Sequence, residues 1–173
     1  MGTEKLLAIG EARGFPGMLG SIDCMHCQWK NRPNGLRGMY QGHTRETTII
    51  LEAVASHDLW IWHAFFGMPG SHNDINVLQR SLVFRRLCNG ESLPCNYTIN
   101  GRDYNMGYYL ANGIYPQWAA FVKTISEPHS NKQSLFATMQ EAARKDVERA
   151  FGVLQARWGI VRSAATMWES ETL

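Results

Sequence analysis

Apolar positions along this chain come in two kinds of run, and the contrast predicts most of its elements. Three short, dense runs follow one another: "MLGSIDCMHCQW" from Met18 to Trp29, "TTIILEAVAS" from Thr47 to Ser56 and "LWIWHAFFG" from Leu59 to Gly67. Each is short, rich in β-formers and bounded by turn chemistry, "NRPNGLRG" after the first and His57-Asp58 after the second, so the pattern predicts three strands in an antiparallel meander. A fourth run, Tyr108 to Ala111 in "MGYYLANGIYPQW", reads as a buried strand that delivers Asn112 to its end, where Gly113 turns the chain.

The other runs have helical spacing. Ile75, Leu78, Leu82 and Phe84 to Leu87 predict a first helix with Ser71 or Asn73 as N-cap and a break near Ser81. Phe136, Met139, Ala143, Val147, Ala150, Phe151, Leu154 and Trp158 fall three or four apart and predict one long helix from Lys132 to about Arg157. Between them, Asn100-Gly101 joins two β-compatible arms, a strong hairpin signal. Strands, helix, strands and long helix make an α+β or mixed α/β layer protein.

Composition narrows the class. With 173 residues, 45% hydrophobic and 18% charged, the chain reads as one globular domain over 1–173 rather than a disordered one. A net charge of +2 excludes nucleic-acid binding through overall charge and leaves only a local face for it. No apolar stretch reaches the length of a membrane span, and "MGTEKLLAIG" lacks the form of a secretory signal. Leu6 stands where myristoylation prefers Ser or Thr. The expectation is an intracellular protein. Of the cysteines Cys24, Cys27, Cys88 and Cys95, the first two share a predicted strand and face opposite ways, so reduced thiols are expected and zinc is not.

Acids are the candidate chemistry. Asp23 lies within an apolar strand, where an ionised carboxylate needs compensation that a divalent metal would supply. Asp74 falls in the first turn of the first helix, where favouring the helix dipole is a sufficient reason for it. Glu148, in the apolar-rich half of the long helix, has Arg144 one turn earlier as an ion-pair partner. Histidines form no ligand spacing; His26 and His72 fall near the acids, where they either assist a metal or simply pack, and His43, His57, His63 and His129 lie elsewhere.

The blocks "GSIDCMHC", "GMPGSHNDINVL", "YYLANGIYP" and "EAARKDVERAFGVLQARW" resemble, in order, those of PIF/Harbinger-type transposases, in the plant group of harbinger transposase-derived nucleases. The resemblance runs from about Leu6 to Trp168. It implies an RNase H-like DDE catalytic core, a mixed sheet with helices on its faces that cuts and joins DNA through Mg²⁺ or Mn²⁺. Carried over by block, the first acid is Asp23 and the third Glu148, while the second position, Asp in the "LADGIYP"-like block, holds Asn112; Asp74 matches an auxiliary metal ligand. Asn112 and Glu148 have 35 residues between them, the spacing the resemblance leads one to expect of the last two members.

Two-metal phosphodiester chemistry uses converging carboxylates, and Asn at a bridging position removes one charge and one oxygen. The expectation is therefore weakened metal binding and impaired cleavage; alternatively, a catalytically inactive, domesticated or decaying domain that binds DNA or protein, or a transposon remnant with no selected role. Asn112-Gly113 is also a dipeptide prone to deamidation, because glycine hinders ring closure least; a rigid strand end would oppose it.

Arg144, Lys145, Arg149, Arg157 and Arg162, with Lys30, Arg32, Arg37 and Arg45, either hold DNA phosphates or form a solvated face. Trp60 and Trp62 alternate with Ile61, which predicts burial on both sides of a strand. Little chain precedes the first acid and no basic run resembles a nuclear signal, so the chain reads as N-terminally truncated relative to a full transposase. The resemblance implies a nuclear location and a separate Myb-like DNA-binding partner.

Overall fold

A computed structural model describes residues 2–31, 33–42, 45–88 and 94–163. Arg32, His43 and Trp168 lie outside the described residues, as does the side chain of Cys88.

A helix, α1 (Thr3–Ala12), precedes the meander of β1 (Met18–Gln28), β2 (Thr48–Ala55) and β3 (Ile61–Pro69), with a short helix α2 (Arg37–Tyr40) in the first connection. The predicted first helix is two, α3 (Asp74–Arg80) and α4 (Leu82–Cys88), separated at Ser81. The Asn73 side chain caps α3 by accepting the Asn76 N–H. Next come β4 (Pro94–Ile99) and β5 (Arg102–Met106), then β6 (Tyr108–Ala111) and β7 (Phe121–Lys123). β4 and β5 form a separate two-stranded sheet. Asn100 and Gly101 both take positive φ, 52° and 76°, as a type I′ hairpin requires.

The main sheet has five strands in the order β3-β2-β1-β6-β7. β1 pairs antiparallel with β2 and parallel with β6, and β6 pairs parallel with β7. With helices on both faces, this is the RNase H-like mixed sheet that the resemblance implied. β2 is buried along its whole length because strands flank it and both faces are covered, the condition for an unbroken apolar run. One face, carrying Ile22 and Val54, packs on Leu78 of α3 and Phe84 of α4. The other, carrying Leu51 and Ala53, receives Val147, Ala150 and Phe151.

Two expectations are corrected here. The long helix is α5 (Asn131–Arg144) and α6 (Asp146–Arg157), interrupted at Lys145; a one-turn helix, α7 (Gly159–Arg162), follows. Periodicity cannot register the interruption, because Ala143 and Val147 keep the same inward face across it. Its cause is tertiary: the Val147 N–H donates to the buried Ser21 hydroxyl at 3.0 Å, and buried Asp146 accepts from Arg13 at 2.6 Å and from Arg149. Trp60 and Trp62 are also not buried on both sides. β3 is an edge strand, and these side chains are 62% and 38% exposed, stacked edge to face with centroids 6.4 Å apart. No helix among the described residues is long and apolar enough to cross a membrane.

Candidate active site

Register brings the first two predicted positions together. Ser21 of β1 pairs with Leu110 of β6 in parallel, so two residues further on Asp23 stands beside Asn112, just past the end of β6. Such a strand end, beside a parallel neighbour, is where sites in open α/β sheets are built. Asp23 points to the face covered by α6. Its Oδ1 accepts the Cys24 N–H at 2.9 Å and the Asn112 Nδ2–H at 3.3 Å. Burial raises the Asp23 carboxyl from 3.8 to about 6, the Cys24 N–H opposes this, and the negative charges of Asp74 and Glu148 add to the rise.

Asn112 is oriented from both ends of its amide. The Oδ1 accepts the Ile114 N–H at 3.0 Å, which turns the Nδ2 toward Asp23. Buried Gln140 of α5 holds the strand end from behind, donating through Nε2 to the carbonyls of Ala111 at 3.1 Å and Val122 at 3.0 Å. The Ser21 bond to Val147 N–H fixes the first turn of α6, which carries Glu148. Glu148 lies close enough for its charge to act on Asp23, but its Oε1 accepts from Arg144 Nη1 at 2.7 Å, and Arg144 Nε also donates to Glu141 at 2.9 Å.

Asp74 belongs to the opposite face of β1. There it takes a hydrogen bond from the Cys24 thiol; burial raises its carboxyl, while the charge of His26 lowers it. Its own charge reaches Asp23, yet its polar contacts are on the Cys24 side, where Cys24 Sγ lies 3.6 Å from Tyr115 Oη. His26 and His72 are occupied locally, by Thr48 Oγ1 at 2.8 Å and the Pro69 carbonyl at 3.2 Å. Together they line a cleft of about 490 Å³ beside Asn73 rather than approach Asp23.

A family model described as plant transposon protein matches residues 2–173. The chain belongs to that family. Its PIF/Harbinger-type blocks therefore have their expected setting. Protein ALP1-like of Arabidopsis thaliana is 26% identical over 165 residues, which cover 90% of this chain and 38% of that protein; the chain spans well under half the length of this relative. No solved structure matches.

The group that the PIF/Harbinger resemblance implies is a pair of divalent ions, and the residues present do not fit it. Among the described residues no three His, Cys, Asp or Glu side chains converge as a metal site. The Asn112 NH₂ donates to Asp23 Oδ1, and Glu148 is paired with Arg144. Of the basic residues read as a DNA face, Arg144 and Arg149 are tied to acids, to Glu141 and Glu148 in one case and Asp146 in the other. Lys145 and Arg157 are exposed.

Two residues of the plant transposon fold escaped the sequence reading. Gln140 looked like one more polar position on a helix, and only the packing of α5 over the ends of β6 and β7 gives it its role. Glu52, fully buried in β2, has neither carboxyl oxygen hydrogen-bonded, and His63 Nε2 approaches Oε1 only to 3.5 Å. Its signal was the one used for Asp23, a carboxyl inside an apolar strand.

Proposed function

We propose that this chain is a transposase-derived DNA endonuclease domain of the DDE type, impaired in phosphodiester cleavage at its second acid position. The observation carrying this reading is the Asn112–Asp23 hydrogen bond. A donor occupies the place where the chemistry calls for a second carboxylate, so the shared cation of a two-metal site would meet an NH₂ group and one charge fewer. Asp23 and Glu148 are the remaining acids of the set, Asn112 its altered member, and Asp74 an auxiliary acid one strand face away.

A second reading, a non-cleaving module that binds DNA or protein, is favoured by the Arg144–Glu148 pair, which stabilises the site without a cation. Lys145 and Arg157 are then the phosphate contacts, supplying affinity without base readout. On the family resemblance, site choice falls to a separate Myb-like partner and the location is nuclear.

The test is cleavage of duplex DNA in Mg²⁺ and in Mn²⁺ by the wild type and by Asn112→Asp. Little or no wild-type turnover, with gain in the variant, supports impairment at this position. Equal turnover overturns it. Inactivity of both, with metal-independent DNA binding, favours the second reading.

A further inference from the structure

The chain contains the pairs Asn34-Gly35, Asn89-Gly90, Asn100-Gly101 and Asn112-Gly113, each chemically capable of deamidation. In folded protein such a pair reacts only where the glycine nitrogen can reach the Asn side-chain carbon. We propose that Asn112-Gly113 is a self-modification site, at which spontaneous deamidation in the folded protein converts Asn112 to Asp or isoAsp and returns a carboxyl group to the side of Asp23.

Local geometry favours the reaction in three ways. Asn112 has left the strand: β6 ends at Ala111, and Gly113 and Ile114 form an exposed turn. The ladder pairing of β6 therefore stops short of the Asn112-Gly113 peptide. Around Gly113 the space is open, with nothing within 4 Å of where a Cβ would stand, and among the described bonds its N–H has no acceptor. Finally, the Ile114 N–H donates to Asn112 Oδ1 at 3.0 Å. That bond polarises the side-chain carbonyl and places a donor where negative charge develops during attack, the role an oxyanion donor plays in acyl transfer.

The chemistry balances without a catalyst or oxidant. The Gly113 nitrogen, losing its proton, bonds to Asn112 Cγ, and the bond from Cγ to Nδ2 breaks to release ammonia, leaving a succinimide ring. Solvent water then opens the ring: attack at the side-chain carbonyl gives Asp, attack at the backbone carbonyl gives isoAsp. The sum is Asn plus water going to Asp or isoAsp plus ammonia. The departing Nδ2 is the atom now facing Asp23 Oδ1 at 3.3 Å, so the Asp product replaces a donor by an acidic oxygen at that point.

The modification itself is independent of the proposed function, whereas its consequence for metal binding rests on that reading. The experiment is peptide mass spectrometry after incubation of the folded protein at neutral and mildly alkaline pH, with fragmentation that separates Asp from isoAsp. The same protein in denaturant and the peptides of the other Asn-Gly pairs serve as comparison. Expected are the mass gain of NH₂ becoming OH at position 112, at a rate comparable to or above that of the denatured chain, and its loss in Gly113→Ala, a substitution the open surroundings accept. No gain at 112 in folded protein while the denatured chain converts overturns the proposal. Manganese titration calorimetry of aged protein and of Asn112→Asp separates the two claims: mass gain without Mn²⁺ affinity in either sample sinks the proposed function and leaves the modification standing, whereas affinity in Asn112→Asp without mass gain does the reverse.

Discussion

Asn112 Nδ2 donates to Asp23 Oδ1 across 3.3 Å, so that a donor and an acceptor meet where two acids would repel. The amide is nearly the shape of a carboxylate, and it adds a hydrogen bond to a half-buried acid. Under the proposed function, loss of chemistry and gain of local stability would be the same substitution.

Asn112→Asp therefore has opposite effects with and without metal. In chelator at neutral pH it destabilises the fold by on the order of 1 to 3 kcal/mol, because two carboxylates then share one site. With Mn²⁺ at a hundred times its dissociation constant, about 2.7 kcal/mol returns. Thermal melts with and without Mn²⁺ check both signs; an unchanged wild-type melt is expected in the same titration.

The raised Asp23 carboxyl gives a pH dependence. Its folded value, about 6, lies above the ordinary 3.8, so its contribution to stability is fully present below 3.8 and is lost as pH rises through about 6. Partial exposure limits the difference to about 2 kcal/mol at most. Denaturant midpoints of the metal-free wild type minus those of Asp23→Asn should fall between pH 4 and 6 and be flat above about 7.

Gln140→Leu removes both donors from the carbonyls of Ala111 and Val122. Losing these two buried bonds costs about 1 to 2 kcal/mol, read as a lower urea midpoint at unchanged slope. The Asn112 amide signals of an NMR spectrum should broaden or shift, since the end of β6 loses its backing.

Glu52→Leu is expected to stabilise the protein by about 1 to 3 kcal/mol, because it replaces two buried oxygens without hydrogen bonds by apolar surface and removes a negative charge near Asp74. His63 retains its 2.9 Å bond to Ser81 Oγ. A higher melting temperature checks this; a lower one would show that the Glu52–His63 approach contributes more than burial of the carboxyl costs.

The sequence made the meander, the hairpin and the Asn73 cap legible because each rests on local chemistry: dense β-forming runs, an Asn-Gly turn, a side chain three residues from its N–H. The pairing of Asp23 with Asn112 was reachable through the family blocks and is explained by register. What stayed hidden depends on distant partners. Helix α1 carries charges within a short apolar run and is stabilised by packing on β1. The exposure of Trp60 and Trp62 follows from which strand lies at the sheet's edge, a property of topology. Lys145 interrupts a helix whose periodicity continues, because Ser21, far away in sequence, supplies the bond that starts α6.

That interruption has a consequence for how the domain tolerates change in length. α5 is registered to the ends of β6 and β7 by Gln140 and α6 to β1 by Ser21, so each helix has its own tie to the sheet, while the Arg144–Glu148 pair bridges the joint between them. A residue inserted at Lys145 would be absorbed at the joint, leaving Glu148 in place, whereas the same insertion within the first turn of α6 would rotate Glu148 off the face it shares with Asp23.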